Sequence, residues 1–404
     1  MHTVGVRQLQ KNGKNSSKSS PEAGLSETCN RPKVVDLFAG VGGFSLGAIR
    51  AGFDVVAVID LDKHAIGSHR KNFPQTKHRR LDIRKLSGKS LLKIANLGDD
   101  KLSGIIGGPP CQGFSRMGGR RKNDKRNSLF FHFFRLVSET KPSFFVAENV
   151  PGILDEKYDE LIQESFRLVC EDYNWLEPFK ICASDFGAAT SRTRVFFIGT
   201  HSSLKSKLCV SDFTAKSERK AASVRVALAG LSPHVLPSWQ SEKSSWRSID
   251  LVESEYLQLI NRHCEGSTGD ADAIRRFTEE REISGWLGTR HQPEVLERFA
   301  AVEAGHTEKV SRYPRLSWEG LCPTLRAGTD SSRGSFQAVR PIHPDENRVI
   351  TPREAARLQG FPDWFQFSHT KWHSFRQIGN SISPLVAEAV LNVIHSRVRE
   401  LQSL

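Results

Sequence analysis

Short runs of β-branched and aromatic residues alternate with amphipathic stretches from Val34 to Thr200, and this alternation constrains the fold more than any other feature. VVDLF (34–38), DVVAVID (54–60), LDI (81–83), SGIIGG (103–108), PSFFVAENV (142–150) and RTRVFFIGT (192–200) read as strands. GGFSLGAIRA (42–51), FFHFFRLVSET (130–140) and LIQESFRLVC (161–170) read as helices between them. Strands that alternate with helices in this way predict an α/β fold with a doubly wound, mostly parallel sheet. A chain of 404 residues has room for two or three domains.

The rhythm breaks after Thr200. Residues 201–310 are rich in Ser, charge and isolated Trp and read as a smaller lobe, whereas regular patterning returns over 311–404 and completes the first domain. In that last part TPREAARLQGFPDWF (351–365) is regular, and a Gly-Asn-Ser turn in QIGNSISPLVAEAVLNVIHSRV (377–398) leads into a long amphipathic helix. Residues 1–32 carry KNGKNSSKSS without apolar periodicity and read as a disordered basic tail. The net charge of +13 favours a polyanionic partner, nucleic acid first, with a solvated basic surface as the alternative. No stretch approaches the roughly 18 apolar residues of a membrane span. The polar N-terminus lacks the apolar core of a secretory signal. Seven cysteines without a C-x-x-C pair indicate neither a disulfide framework nor a four-Cys zinc site and point inside the cell, and the fourteen histidines make no metal-ligand spacing.

Gly40, Gly42 and Gly43 fall at the turn from the first strand into its helix, where a nucleotide-like ligand meets the backbone in a doubly wound sheet. Asp60 ends the second strand, at the distance where an acid would hold ribose hydroxyls, and Asp82 follows at the next strand end. A tight turn alone would also explain the glycines, but with the two acids the pattern favours an adenosine-bearing cofactor.

GGPPCQGFS (107–115) leaves a strand directly and presents Cys111 at the carboxyl edge of the sheet, next to a basic segment that favours a thiolate. Glu148 ends the following strand and is suited to act as an acid beside that nucleophile. Arg192 and Arg194 share one face of another strand and would steady an anion or orient a ring. Residues 112–128 carry Arg116, Arg120, Arg121 and Lys122 among further cations. This basic loop would close on a polyphosphate, unless it is simply solvated.

DLFAGVGGFSLG (36–47), PPCQGFS (109–115), ENV (148–150), RTRVFFIG (192–199), TPREAARLQGFPDWF (351–365) and IGNS (378–381), in this order, resemble the DNA cytosine-5 methyltransferases of the compact bacterial restriction–modification type. The resemblance covers roughly residues 33–200 and 312–395. It implies the S-adenosyl-L-methionine-dependent methyltransferase fold, that compound as methyl donor, no metal, and a cytosine flipped out of duplex DNA as acceptor. It implies that Cys111 attacks ring carbon 6, that Glu148 binds ring nitrogen 3 and the exocyclic amine, and that Arg192 and Arg194 brace the base. Phe38, Gly40, Gly42, Asp60, Asp82, Ile83, Pro110, Leu129 and Asn380 would line the donor pocket, and Thr324 would lie near the DNA backbone. The resemblance further implies a monomer in the bacterial cytoplasm, with room for a cognate endonuclease reading the same site.

Residues 201–310 correspond to the target-recognition region, where Trp239, Trp246, Trp286, Arg290 and His291 would either reach bases or fill a core. Two positions depart from the family pattern. Thr190 replaces the usual Gln before the first motif arginine, and Asp60 replaces a Glu. Alternative readings are methylation of cytosine in transfer RNA, an inactive DNA-binding homologue, and a nicotinamide oxidoreductase, the last of which leaves Cys111 without a role.

Overall fold

The computed structural model describes residues 31–98, 100–110, 128–204, 208–214, 219–241, 245–263, 268–327 and 340–402. The basic tail expected over 1–32 therefore falls outside the described residues apart from Arg31 and Pro32. So do Cys111 and the loop cations Arg116, Arg120, Arg121 and Lys122.

The first half alternates as its periodicity predicts: β1 (Lys33–Leu37), α1 (Gly43–Arg50), β2 (Asp54–Asp60), α2 (Lys63–Asn72), β3 (Lys77–Arg80), α3 (Gly88–Ala95), β4 (Gly104–Gly107), α4 (Ser128–Thr140), β5 (Phe144–Asn149) and α5 (Asp159–Arg167). Three further strands follow, β6 (Tyr173–Trp175), β7 (Phe179–Cys182) and β8 (Thr193–His201). They form one sheet in the order β3-β2-β1-β4-β5-β8-β6, with β7 also paired to β8. The first five are parallel, and β8 runs antiparallel to β5 with Glu148 opposite Phe196. β4 (GIIG) and the apolar start of β5 (FFVA) are fully buried, as strands covered on both faces must be.

Two local expectations are corrected. The third strand is KHRR (77–80), not LDI (81–83); Asp82 instead caps a short turn over Ile83–Lys85. Gly379 and Asn380 form the end of a helix rather than a turn. That helix needs Gly379 because a side chain there would lie 2.8 Å from the Ala327 backbone nitrogen.

Beyond β8 lie α6 (Val210–Thr214), α7 (Val224–Leu228), β9 (Arg247–Ser248), α8 (Glu255–Asn261), α9 (Ala271–Arg275), β10 (Glu282–Ile283) and α10 (Pro293–Ala300), then α11 (Pro352–Leu358), α12 (Lys371–Asn380) and α13 (Pro384–Gln402). A small cluster of Val235, Ile249, Ile283 and Trp286 packs beneath the β9–β10 pair. Val224, Ala227, Tyr256 and Ile260 instead join the large core that covers one face of the main sheet.

Three arginines of the 348–357 segment hold these parts together from inside. Arg353 is fully buried and donates to Ser284 O at 2.7 Å and Phe365 O at 2.9 Å; burial lowers its pKa to about 10. Arg357 pairs with Asp363 at 2.7 Å and donates to Ala229 O at 2.6 Å. Arg348 bridges Glu354 at 2.8 Å and Pro233 O at 2.8 Å. Buried charges are costly unless paired or hydrogen-bonded: Arg348 and Arg357 have both a carboxylate and carbonyls, and Arg353 is held by carbonyl oxygens.

Helix α13 lies against α1, and the glycines on that face of α1 set the distance. A Cβ at Gly47 would overlap Ala387 Cβ and come within 2.6 Å of Glu388 N, whereas one at Gly67 in α2 would meet nothing within 4 Å. The same substitution should therefore have opposite signs at the two sites. In urea denaturation, Gly47→Ala is expected to lose about 1–3 kcal/mol to overpacking. Gly67→Ala is expected to gain up to about 1 kcal/mol of helix propensity.

Candidate active site

A cleft of about 590 Å³ opens at the carboxyl ends of β1, β2, β4 and β5, where ligands bind in open parallel sheets. Its first wall is the turn after β1. Phe38 holds a left-handed φ of 58°, which a bulky residue adopts only under local constraint, and Gly40 follows at φ 56°. The constraint comes from β2: Phe38 N donates to Ile59 O at 2.8 Å, and Gly40 N donates to Asp60 Oδ2 at 2.8 Å. Asp60 Oδ1 accepts from Asp62 N at 2.7 Å, so one carboxyl ties two strand ends together. Each of its oxygens keeps a lone pair for a ligand. Burial raises the Asp60 pKa.

Asp82, Ile83, Pro110, Leu129 and Asn380 also line this cleft. Asp82 is gripped by the Arg84 guanidinium at 2.6 Å, and this hydrogen bond lowers its pKa. Gly42 is placed differently. It is not among the lining residues, and a Cβ on it would lie 3.0 Å from the His69 ring, so its hydrogen faces the packing behind the turn.

Glu148, Arg192 and Arg194 converge on the opposite side of the cleft. Glu148 sits diagonally from Arg194 across the β5–β8 pair, and Arg194 Nε lies 2.6 Å from Glu148 Oε1. That contact is an ion pair off the line of a hydrogen bond, since Oε1 makes none. A Cβ on Gly108 would lie 3.0 Å from Glu148 Oε2, so a glycine at the exit of β4 leaves space for the carboxylate. Arg192 is 2% exposed and donates to Gly379 O at 2.9 Å and Leu325 O at 3.2 Å. It thereby draws the end of α12 and the segment bearing half-buried Thr324 onto the start of β8. Thr190 adds to this join by donating to Cys322 O at 2.8 Å.

A family model described as C-5 cytosine-specific DNA methylase matches residues 32–396. The chain belongs to the C-5 cytosine-specific DNA methylase family. It is a DNA cytosine-5 methyltransferase, similar over 92% of its length to the Type II methyltransferase M.XorII of Xanthomonas oryzae, with 38% identity across 86% of that protein. M.DdeI of Desulfomicrobium norvegicum is 31% identical over 88% of this chain and 87% of its own. Among solved structures, a prophage-encoded E. coli protein described as a DNA modification methyltransferase is 46% identical with a TM-score of 0.82, covering 91% of this chain and 99% of that one.

Sequence reading of this methyltransferase missed several lining residues. Leu61 and Leu81 line the cleft at 57% and 37% exposure, an apolar surface suited to a flat ring. No local pattern marks either one, since Leu81 reads as part of an LDI strand and their exposure belongs to the folded chain. Asp36 lines the cleft from the end of β1, and His64, stacked on His373 at 3.5 Å, stands at its rim with the Asp62–Arg376 pair. Of the candidate base readers, Trp286 is buried and His291 accepts from Val349 N at 3.3 Å. Trp239 and Trp246 are half-buried beneath Arg247 and Arg276, and Arg290 is exposed.

Arg192→Met keeps the length of the side chain but strands two buried carbonyls. It is expected to lower stability by about 1–3 kcal/mol per carbonyl. Arg192→Lys should lose less, because an ammonium still reaches one of them. Calorimetric melting of the three proteins checks the order.

Proposed function

We propose that the cleft binds S-adenosyl-L-methionine and that Cys111 forms a covalent adduct with a cytosine flipped out of duplex DNA. The observation that carries this reading is the Glu148 carboxyl, fixed beside the cleft by Arg194 with the Pro109-Pro110 segment leading to Cys111 next to it. Asn149 Nδ2 reaches Pro109 O at 3.5 Å, which joins the acid's strand to the nucleophile's segment.

The residues present fit the donor. Leu61, Leu81 and Ile83 offer an apolar bed for an adenine, Asp60 keeps acceptor capacity for a ribose, and Asp36 Oδ1 is buried without a hydrogen-bond partner among the described residues. When bound, the donor supplies an electrophilic methyl group on a sulfonium.

In the proposed reaction Glu148 takes up a proton as the ring enters and passes it to ring nitrogen 3 while the Cys111 thiolate adds to ring carbon 6. The electron pair displaced onto carbon 5 takes the methyl group. Loss of the carbon 5 proton to a base then expels the Cys111 thiolate, and return of the ring nitrogen 3 proton to Glu148 restores the neutral ring. A thiolate suits both halves, as it is a good nucleophile and a good leaving group. Arg194 keeps Glu148 in place, and Arg192 keeps the walls of the cleft together. Arg116, Arg120, Arg121 and Lys122 would contact phosphates, Thr324 would lie near the backbone, and residues 201–310 would read sequence. The remaining proposed attributes are a monomer in the bacterial cytoplasm and a cognate endonuclease for the same site.

Duplex DNA bearing 5-fluorocytosine at the target should trap an adduct on Cys111, because fluorine does not leave as a proton does. Peptide mass spectrometry locates it. An adduct on another cysteine, or one formed on transfer RNA instead of duplex DNA, contradicts the proposal. Cys111→Ser should abolish turnover and keep DNA affinity, and Glu148→Gln should slow turnover by at least about a hundredfold.

Exchange of residues 201–310 for the corresponding segment of a relative should change the methylated sequence. Neutralising Arg120, Arg121 and Lys122 should weaken binding on every sequence and reduce its salt slope, by up to about 0.9 for each phosphate no longer neutralised. Methylation sequencing and salt titration read the two effects separately.

A further inference from the structure

Four side chains behind the cleft are hydrogen-bonded end to end. Ser45 Oγ donates to Asp36 Oδ2 at 2.7 Å and lies 3.0 Å from His69 Nε2, while His69 Nδ1 lies 2.9 Å from His78 Nε2. They come from β1, α1, α2 and β3 in turn. Asp36, Ser45 and His69 are wholly buried, and His78 is 8% exposed, which makes it the end that meets solvent. At the other end Asp36 lines the cleft, and its Oδ1 has no hydrogen-bond partner among the described residues.

Such a chain has two consistent proton arrangements. With Asp36 ionised, His78 Nε2–H donates to His69 Nδ1, His69 Nε2–H donates to Ser45 Oγ, and the Ser45 hydroxyl donates to Asp36. With Asp36 protonated, every donor points the other way. Passing from the second to the first, the Asp36 proton moves to Ser45 Oγ, the Ser45 proton to His69 Nε2 and the His69 Nδ1 proton to His78 Nε2. His78 then sheds its own Nδ1 proton to water. One proton leaves the protein, and no other group changes charge.

We propose that Ser45, His69 and His78 are positioning residues that carry a proton between Asp36 and solvent, so that the cleft binds a sulfonium nucleoside with release of a proton and its neutral thioether product without one. The inference rests on the reading that the cleft takes this donor.

The surroundings favour the protonated arrangement in the free protein. Burial, with some help from the Asp60 charge, pushes the Asp36 carboxyl up to about 8 against the Ser45 hydrogen bond. Burial holds His69 well below the usual imidazole range, and burial with Arg70 and Arg79 brings His78 down to about 4. The other charged groups around the cleft are Asp60, Asp62, Asp82, Arg84, Glu148, Arg192, Arg194 and Arg376, with the His64 and His373 rings at the rim. Asp62–Arg376, Asp82–Arg84 and Glu148–Arg194 are ion pairs, and Asp60 and Arg192 stand beside them. A cationic ligand stabilises the ionised carboxyl, so below about pH 8 its binding expels the proton. Once the methyl group has left, the ligand is neutral, and Asp36 regains the proton. The site thereby tells donor from spent product by charge.

Calorimetric titration of the full chain in two buffers of different ionisation enthalpy tests this. Near pH 7, S-adenosylmethionine should release about one proton more than S-adenosylhomocysteine. Donor affinity should rise by up to about tenfold per pH unit from 6 to 7 and level off above 8, with a much flatter profile for the product. Nitrogen NMR should show the His69 proton move from Nδ1 to Nε2 with the donor only. Asp36→Asn should remove the difference in proton release. Ser45→Ala, which takes a donor from the carboxylate, should move the levelling point to higher pH. Equal proton release for both ligands, a fixed His69 tautomer, or a levelling point unmoved by Ser45→Ala overturns the relay and leaves the donor reading intact. Failure of both ligands to bind overturns the donor reading and the relay with it.

Discussion

The close approach of α1 to the C-terminal segment is the contact on which the rest of the structure depends. A parallel sheet needs cover on both faces, and here the cover over β1 comes from the far end of the chain. Gly43 sits against Ser381 and Ile382, and Gly47 sits against Ala387. Because α1 presents glycine at both points, Gly379 and Asn380 reach the cleft, and Arg192 holds Gly379 there from β8. The cleft is thus closed by residues more than three hundred positions apart in sequence. It exists only when the whole chain has folded, which couples its geometry to global stability.

The same arrangement explains how the segment between Thr200 and Val349 is tolerated. Part of its attachment runs through backbone carbonyls: Arg357 holds Ala229 O, Arg353 holds Ser284 O, and Arg348 holds Pro233 O, beside the side chains of Val224, Tyr256 and Ile260 in the main core. A carbonyl is present whatever the side chain, so these three anchors do not depend on the identity of the residues they hold. The motif around residues 351–365 is conspicuous in sequence, yet its arginines act as interior fasteners and do not line the cleft.

Much of the fold was legible because periodicity and burial agree. β2 spans the residues its alternation marked, and β5 is apolar from Phe144 to Ala147 before its buried polar end at Glu148 and Asn149. β3 was misplaced since KHRR has no apolar signal; pairing with β2 makes it a strand, and Arg79 and Arg80 remain at the surface. The end of α12 was read as a turn because Gly-Asn is ordinarily a turn signal, whereas this glycine serves a close backbone approach. In the cleft, Glu148, Arg192 and Arg194 were visible as strand-end residues. The chain from Asp36 to His78 was not visible, because its members come from four elements and no local pattern links them. Leu61 and Leu81 show the same limit: an exposed leucine has meaning only once the cavity it lines is known.

The central claim is that this chain methylates cytosine in duplex DNA at one short sequence, with Cys111 as the nucleophile. Bisulfite sequencing of DNA from a host that expresses the chain, set against the same host with Cys111→Ser, measures that directly. The account predicts protected cytosines at a single recurring sequence with the unaltered chain and none above background with the variant. Protection that persists in the variant, or its absence in both, would contradict it.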